Sequence, residues 1–321
     1  FALQIDAALD VAVVEQALNR LQQRHSALRT VIEYRDGQAL QQVVAGQPVV
    51  VELLDHRALP REHLDAALQE CLDVEAARVF NLSSGPLWQV NLIQQAEERY
   101  VLVLNLHHIC ADGWAMRILI REFSEIYQSL SQGQPPQLAE LPVQYIDFAH
   151  WQRQQIEGGG FEPHLHYWRE QLQGARGITA LPLDHPRDAT HSPQAEALAV
   201  SLDQAQCESL REFVRLRHGS LFNLMLAAYQ LLLAIETGER DILIGTDVAN
   251  RARPELEGVV GFFTSQLPVR SRIDFSLSVA DYLDQLTQQS RELLVHQDAP
   301  LEWLMDQLKV ERISGLTPLF Q

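Results

Sequence analysis

Two adjacent histidines, followed at short spacing by an aspartate and a glycine, are the residues of this sequence best suited to chemistry. His107 and His108 end an apolar run, residues 100–106, that predicts a largely buried strand. Asp112 and Gly113 follow as a turn signal. A neutral imidazole is the side chain best suited to accept a proton from an attacking amine or hydroxyl at neutral pH. The pattern therefore indicates acyl transfer.

The two histidines are expected to differ in role. Successive strand side chains point to opposite faces, so we expect one ring to face the interior and His108 to face a cleft as the catalytic residue. Rings that face opposite ways do not easily share an ion, and no metal site is predicted. We expect Asp112 to pair with an arginine and hold the shape of the loop, while Gly113 permits a tight turn. A purely structural histidine pair is the alternative.

Predicted strands and helices alternate around this motif. Asp10 caps an amphipathic helix that runs to about Arg24, and the turn residues 35–37 predict a hairpin. A second helix starts at Pro60 and runs to about Val79. The remaining elements are strands at 28–34, 39–44, 87–94 and 100–106 and a helix after Gly113, in which Met116, Leu119, Ile120, Phe123, Tyr127 and Leu130 keep helical spacing. This alternation indicates an α/β sandwich.

The second half of the chain roughly repeats this order. A stretch rich in Gly and Pro runs from Gly158 to Pro193, apart from a short predicted helix at 162–172. The elements predicted beyond it are a strand at 197–202, a helix at 203–217, an apolar helix at 221–235 and a strand at 241–248. We therefore predict an N-terminal lobe over 1–173 that carries the histidine motif, an inter-lobe linker over 174–193 and a C-terminal lobe over 194–321.

Six segments resemble, in order, the motifs of the condensation domains of nonribosomal peptide synthetases. They are RHExLRT at 24–30, HHxxxDG at 107–113, YxDFAxW at 145–151, GxFVNTxxLR at 261–270, HQDxPFE at 296–302 and the family's weak last motif, ending in Pro-Leu, at 312–319. The chain departs from the family at Ser26, where Glu is usual, and at 264–266, where Thr-Ser-Gln replaces its Asn-Thr. Six matches in order identify the chain as a member of this family.

The resemblance implies a fold and a reaction. The family fold is two chloramphenicol-acetyltransferase-like α/β sandwich lobes in a V-shaped pseudo-dimer with a central tunnel. In it, a carrier-protein-bound acyl or aminoacyl thioester is transferred to the amine of an acceptor aminoacyl thioester, with His108 midway along the tunnel. The implied partners are donor and acceptor peptidyl carrier proteins and a neighbouring adenylation domain. The domain itself would bind no cofactor, because both substrates arrive on phosphopantetheine arms.

The resemblance also suggests supporting residues. Arg29 is the first candidate partner of Asp112 and Arg251 is the second, while His107, Gly113 and Arg24 support the motifs structurally. Further candidates for scaffold or tunnel positions are Tyr145, Asp147, Trp151, Arg251, Ser265, Gln297 and Asp298. We interpret the YxDFAxW positions as scaffold rather than substrate contacts, and the HQD positions as a brace of the tunnel floor.

Charge and cysteine content exclude several classes of function. A net charge of −17 argues against nucleic acid or an anionic membrane surface as a partner. The apolar stretches are all shorter than the roughly 20 residues of a membrane span. Cys71, Cys110 and Cys207 predict neither a disulfide framework nor a zinc site, and a cytoplasmic location fits best. We do not expect Cys110 to be a nucleophile. Both ends look cut, so we expect a fragment of a multidomain synthetase.

Three alternatives stay open. An epimerization domain shares the HHxxxDG motif but inverts one carrier-bound residue without an acceptor, and it needs a second catalytic carboxylate. A stand-alone acyltransferase acting on coenzyme A thioesters uses similar histidine chemistry. A non-catalytic recruiting module of the same fold is a binding protein rather than an enzyme, although such modules usually lose the second histidine or the Asp-Gly pair. Amide formation is favoured over ester formation because it is commoner in the family.

Overall fold

The computed structural model describes residues 1–175, 177, 181–184, 197–312 and 318–320. The chain divides into two compact units, each formed by two segments of sequence. The first unit comprises Phe1–Gln154 and Arg251–Phe263, and the second comprises Gln155–Asn250 and Thr264–Gln321. Helices and strands alternate through both, which confirms the predicted α/β class.

A four-stranded sheet organises the first unit. Its strands are β1 (Ala2–Ile5), β4 (Glu52–Asp55), β5 (Trp88–Ala96) and β6 (Arg99–Leu106), in the order β1-β6-β5-β4, and β2 (Thr30–Arg35) and β3 (Gln38–Val43) form a separate hairpin. The helices are α1 (Val11–Arg24), α2 (Arg61–Ala76), α3 (Gly113–Ser131) and α4 (Tyr145–Glu157). β6 pairs antiparallel with β1 and β5, whereas β4 and β5 are parallel. The hairpin turn contains Asp36 and Gly37 at positive φ, which the predicted Asp-Gly turn requires.

Helices cover both faces of β6, which explains its nearly continuous apolar sequence. Leu102 and Leu104 point into the main core formed with α1 and α3. Val101 and Val103 point to the other face, where they pack against α2 side chains. Alternate residues are therefore buried on opposite sides, and the strand delivers the histidine motif from a fixed position in the core.

The second unit contains a two-stranded antiparallel sheet and five helices among its described residues. The elements are α5 (Glu162–Leu172), α6 (Gln204–Leu216), α7 (Leu221–Thr237), β7 (Asp241–Val248), β8 (Ser265–Arg272), α8 (Val279–Val295) and α9 (Leu301–Leu308). Gln230 of α7 is fully buried and accepts hydrogen bonds from the hydroxyls of Ser271 and Tyr282. Within the described residues no single helix has the length and composition to cross a membrane, although α6 and α7 pass that test as a pair bent by 103°.

Two sequence-based predictions about the middle of the chain differ from the structure. The strand predicted at 197–202 is wrong, because these residues form no strand and Leu198 and Val200 are 90% and 83% exposed. The units divide after Gln154 rather than within 174–193, because α5 belongs to the second unit. Its Trp168 is buried there and donates a hydrogen bond to the backbone oxygen of His296. Breaker residues mark loops, and packing decides which unit a helix joins. Much of the predicted linker lies outside the described residues.

Candidate active site

The histidine motif forms a turn between the end of β6 and the start of α3. The backbone N–H of His107 donates to the carbonyl of Leu87, 2.9 Å away, so the turn stays attached to the segment that leads into β5. The backbone N–H of Cys110 then donates to the carbonyl of His107 at 3.1 Å. α3 begins at Gly113. The predicted strand at 100–106 and the predicted helix after Gly113 are confirmed.

The two histidine rings have different surroundings. His107 is half-buried, its Nδ1 accepts a hydrogen bond from the backbone N–H of Ile109 at 3.1 Å, and its ring lies edge-on to Phe80. A neutral His107 therefore carries its proton on Nε2. His108 is exposed, and its ring meets Phe262 at a centroid distance of 5.0 Å and an interplanar angle of 80°. His108 is thus the ring open to an incoming group, and its catalytic role stays a prediction.

Cys110 is unsuited to nucleophilic attack. Its side chain is buried, and Sγ donates to the backbone oxygen of His107 at 3.0 Å. Burial raises the pKa of the Cys110 thiol to about 12. Because the thiolate is the nucleophilic form, this cysteine is neutral and inert at neutral pH.

Asp112 is a buried structural carboxylate. Oδ1 accepts the backbone N–H of Ala115 at 2.8 Å and so caps α3, and it also lies 3.3 Å from Nη2 of Arg251. Oδ2 accepts the backbone N–H of Phe263 at 3.0 Å. One side chain therefore fixes the first turn of α3 and holds the chain segment Arg251–Phe263, which we call the crossover segment, against it.

Arg251 organises the crossover segment around its own side chain. Nη1 donates to the backbone oxygens of Leu256 and Val259, both at 2.6 Å. The guanidinium also lies over the ring of Phe263, 4.0 Å from its centroid. Burial lowers the pKa of Arg251, and the charge of Asp112 opposes that shift. The buried charge is therefore balanced by one carboxylate and several carbonyl oxygens.

The predicted ion pair between Arg29 and Asp112 is wrong, and the second candidate, Arg251, is the partner of Asp112. Arg29 instead donates to three backbone oxygens, those of Gln22, Gln23 and Val44. These contacts tie the turn after α1 to the end of the β2–β3 hairpin. A guanidinium satisfied by nearby carbonyls is not available to a distant carboxylate.

Arg24 belongs to a separate buried network that sequence reasoning did not anticipate. Its Nε lies 2.9 Å from Oε2 of Glu122 in α3, and Nε2 of the fully buried His25 lies 2.7 Å from the same oxygen. Burial acts to raise the pKa of Glu122, but the His25 hydrogen bond and the charges of His25 and Arg24 outweigh it, and the net shift is downward. An acid on the apolar face of an amphipathic helix was the available signal.

The YxDFAxW residues contact other parts of the first unit, and their scaffold role stays a prediction. The Tyr145 hydroxyl donates to the backbone oxygen of Phe262 at 2.8 Å, and burial, with the charge of Asp112, raises the Tyr145 pKa to about 12. Asp147 accepts the backbone N–H of Gln144 at 2.8 Å and so caps the start of α4. The Trp151 ring lies under the guanidinium of Arg253.

Trp114 and Phe262 also belong to this region, although the sequence did not single them out as site residues. The indole N–H of Trp114 donates to the backbone oxygen of Glu257, 3.0 Å away. This bond adds a further link from the start of α3 to the crossover segment. Phe262 fills the unspecified position of the GxFVNT motif, which is why the motif gave it no weight.

The other predicted site residues lie in the second unit. Ser265 begins β8 opposite Val248 of β7. The Gln297 side chain donates to the backbone oxygen of Leu294 at 2.8 Å, and Asp298 lies in the turn after α8. Their part in a tunnel floor stays a prediction.

Comparison with known proteins identifies the family. A family model described as Condensation domain matches residues 1–321. The chain belongs to the condensation-domain family. A linear gramicidin synthase of Brevibacillus parabrevis is 38% identical to this condensation domain over 320 residues, which are 100% of the chain and 4% of that protein. The chain therefore spans a small fraction of the synthetases that it matches, and condensation domains of such synthetases are in general acyltransferases.

Solved structures confirm the chloramphenicol-acetyltransferase-like fold of this condensation domain. The X-domain from teicoplanin biosynthesis is 27% identical with a TM-score of 0.88, and the match covers 100% of this chain and 71% of that one. A complex of the X-domain and OxyB matches with a TM-score of 0.87 and 27% identity, over 100% and 70% of the two chains. The condensation domain from Monacolin K polyketide synthase MokA matches with a TM-score of 0.84 and 22% identity, and the match covers 100% of this chain and 74% of that one.

Proposed function

We propose that this condensation domain forms peptide bonds. It transfers an acyl or aminoacyl group from the phosphopantetheine thioester of a donor carrier protein to the amine of an aminoacyl thioester on an acceptor carrier protein. The observation that carries the proposal is the exposed His108 ring on a motif whose Asp112 is buried and bonded to Arg251 and to two backbone N–H groups.

The chemistry needs one proton acceptor and no consumed cofactor. The acceptor amine attacks the thioester carbonyl, a carbon–nitrogen bond forms, and the carbonyl oxygen becomes an oxyanion. Collapse of that intermediate breaks the carbon–sulfur bond and expels the pantetheine thiolate. The proton lost by the amine passes through His108 to the thiolate. General base catalysis of this kind contributes roughly 10²- to 10⁴-fold.

Positioning of the two tethered substrates contributes as well. Reactants held in attack geometry gain up to roughly 7–11 kcal/mol relative to free reactants. An α-amino group has a pKa of about 8, so part of it is already neutral at physiological pH. We therefore assign His108 two functions, to orient the amine and to take its proton as the bond forms.

The proposed partners follow from this chemistry. Both substrates arrive on carrier proteins, and a neighbouring adenylation domain loads the acceptor. The chain corresponds to 4% of the linear gramicidin synthase that it matches, so that relative is long enough to hold carrier and adenylation domains beside its condensation domain. The domain itself needs no bound cofactor for the transfer step.

A transfer assay tests the proposal. The full-length polypeptide is combined with donor and acceptor carrier proteins loaded with aminoacyl thioesters, and the acceptor carrier is followed by intact-protein mass spectrometry. We expect transfer by the wild type and a loss of roughly 10²-fold or more in His108→Ala. His166→Ala, which removes a histidine whose side chain is 73% exposed, is the matched control and should react at the wild-type rate.

The same assay separates the alternatives. Inversion of a carrier-bound residue without an acceptor would identify an epimerization domain, and transfer from free coenzyme A thioesters without a carrier would identify a stand-alone acyltransferase. Transfer by His108→Ala at the wild-type rate would contradict the role of His108.

A recruiting module is the second candidate. It is favoured by the likeness to the X-domain from teicoplanin biosynthesis, which has been solved in complex with another protein, OxyB. In that case carrier proteins would bind without any transfer, and a second protein would bind the same chain. Binding measured by light scattering, together with the transfer assay, distinguishes a module of this kind from an enzyme.

A further inference from the structure

Among the described residues, the His108 ring makes a ring contact and no hydrogen bond. A catalytic histidine is usually oriented by a group that bonds its second nitrogen. Among the residues that the structure describes, neither nitrogen of His108 has such a partner, whereas Nδ1 of His107 accepts a bond from Ile109. What His108 contacts is Phe262, at 5.0 Å between centroids and near-perpendicular planes. Aromatic pairs favour this edge-to-face geometry.

The backbone beside the Phe262 ring is fixed at three consecutive residues. A Cβ on Gly261 would overlap the ring of Tyr145, so this position admits only glycine. The carbonyl of Phe262 accepts the Tyr145 hydroxyl at 2.8 Å, and the N–H of Phe263 donates to Oδ2 of Asp112 at 3.0 Å. Because Asp112 lies in the same turn as His108, one rigid frame carries both rings.

Phe262 is less buried than the residues on either side of it. Gly261 and Phe263 on either side are buried, whereas Phe262 is 39% exposed. Partly exposed apolar side chains are common on proteins, so what distinguishes Phe262 is its contact with the His108 ring. Both rings are exposed on the same frame.

We infer that Phe262 is a positioning residue, whose ring holds the His108 imidazole in the orientation that meets the acceptor amine. The inference rests on the proposed function, because it assigns Phe262 to the step that His108 performs. A misplacement of about 1 Å at a reacting group can cost roughly 10²-fold in rate. Loss of the Phe262 ring should therefore slow bond formation and leave substrate binding nearly unchanged.

Side-chain replacements in the full-length polypeptide test this role. Phe262→Leu removes the ring, Phe262→Met is a second ring-less variant of similar volume, and Phe262→Tyr keeps the ring. Phe275→Leu is the matched control, because Phe275 is also exposed and lies in the second unit. Single-turnover transfer gives the rate of bond formation, the acceptor KM reports binding, and NMR of labelled histidines, assigned with His108→Gln, reports the His108 ring. Thermal unfolding checks that each variant is folded.

We expect Phe262→Leu and Phe262→Met to lower the single-turnover rate on the order of 10-fold with a nearly unchanged acceptor KM. Phe262→Tyr should keep most of the wild-type rate, and Phe275→Leu should match the wild type. The His108 ring signals should move in the two ring-less variants, because the ring current of Phe262 is gone. Wild-type rates in both ring-less variants, with His108→Ala inactive, would overturn this inference alone. Failure of the wild type to transfer with any loaded pair would overturn the proposed function and this inference together.

Discussion

Asp112 and Arg251 form a buried ion pair between residues 139 positions apart in sequence, with Oδ1 and Nη2 separated by 3.3 Å. The pair joins the histidine motif to the crossover segment within one unit. It supports the histidine turn from behind, because the same carboxylate caps α3 and binds the backbone of Phe263. The region around His108 is therefore fixed by an ion pair whose side chains are almost completely buried.

Removal of the arginine should be costly. Arg251→Met leaves the Asp112 carboxylate buried without its cation, and breaking a buried pair in this way typically costs about 3–5 kcal/mol. We expect a fall of that size in the free energy of unfolding, measured by denaturant titration at pH 7. Arg312→Met, which disrupts the exposed pair with Asp306, should leave the value unchanged. Equal stability of the two variants would contradict the structural role of the Asp112–Arg251 pair.

The Glu122 carboxylate should make a pH-dependent contribution to the free energy of unfolding. Its pKa in the folded protein is below the ordinary value of 4.5, so its contribution is complete above about pH 4.5 and is lost as the pH falls through the lower folded pKa. Glu122→Gln should destabilise the protein at pH 7 by roughly 3 kcal/mol, because Arg24 and His25 lose their carboxylate.

The difference in unfolding free energy between wild type and Glu122→Gln should shrink steadily below pH 4.5. Denaturant titrations from about pH 7 down to about pH 3.5 measure it. Glu125→Gln, on the same helix, is the matched control and should show no such difference. A gap between wild type and Glu122→Gln that does not vary with pH would show that the carboxylate charge is not what stabilises the network.

Cys110 should be unreactive in the folded protein. Because burial raises its thiol pKa to about 12, almost no thiolate forms at about pH 8. We expect iodoacetamide to modify Cys207, which is half-buried, well before Cys110, and to modify both after denaturation. Peptide mass spectrometry over time gives the order. Cys110→Ala should retain the transfer rate of the wild type, and a loss comparable to that of His108→Ala would restore the thiol as a candidate nucleophile.

The Tyr145 hydroxyl should matter more for stability than for binding of substrate. Tyr145→Phe removes its bond to the Phe262 carbonyl and should cost about 1 kcal/mol, a typical net value for one hydrogen bond. Tyr34→Phe is the control, since Tyr34 is 75% exposed on β2. Unfolding free energy and acceptor KM are both measured. A large rise in KM without loss of stability would instead make Tyr145 a substrate contact.

Local sequence patterns predicted the elements that position the motif. The apolar run before His107 and the helical spacing after Gly113 predicted β6 and α3. Asp10 caps α1 as predicted, and Asp36 and Gly37 form the predicted hairpin turn. These features depend on neighbours in sequence, where side-chain period and turn chemistry act directly. The strand predicted at 197–202 failed because alternation alone cannot supply the neighbouring strand that a sheet requires.

The partners within the site could not be read from the sequence. The sequence favoured Arg29 over Arg251 as the partner of Asp112, and only the fold shows that Arg29 bonds nearby carbonyls whereas Arg251 reaches the carboxylate. Likewise, the pairing of Glu122 with His25 joins α3 to the end of α1 across 97 positions. Such long-range contacts are set by packing, and a motif match reports only that a position is important.

The crossover segment has a consequence for the order of events during synthesis. Asp112 leaves the ribosome long before Arg251. The histidine turn is therefore made before its guanidinium partner, and β7 and most of the second unit are synthesised in between. Until Arg251 has been made, the Asp112 carboxylate has no guanidinium from the crossover segment, and until Phe263 has been made it also lacks that backbone N–H. Exchange of only the first 154 residues between two condensation domains would therefore divide one compact unit, and we expect such hybrids to be more stable when residues 251–263 come from the same parent.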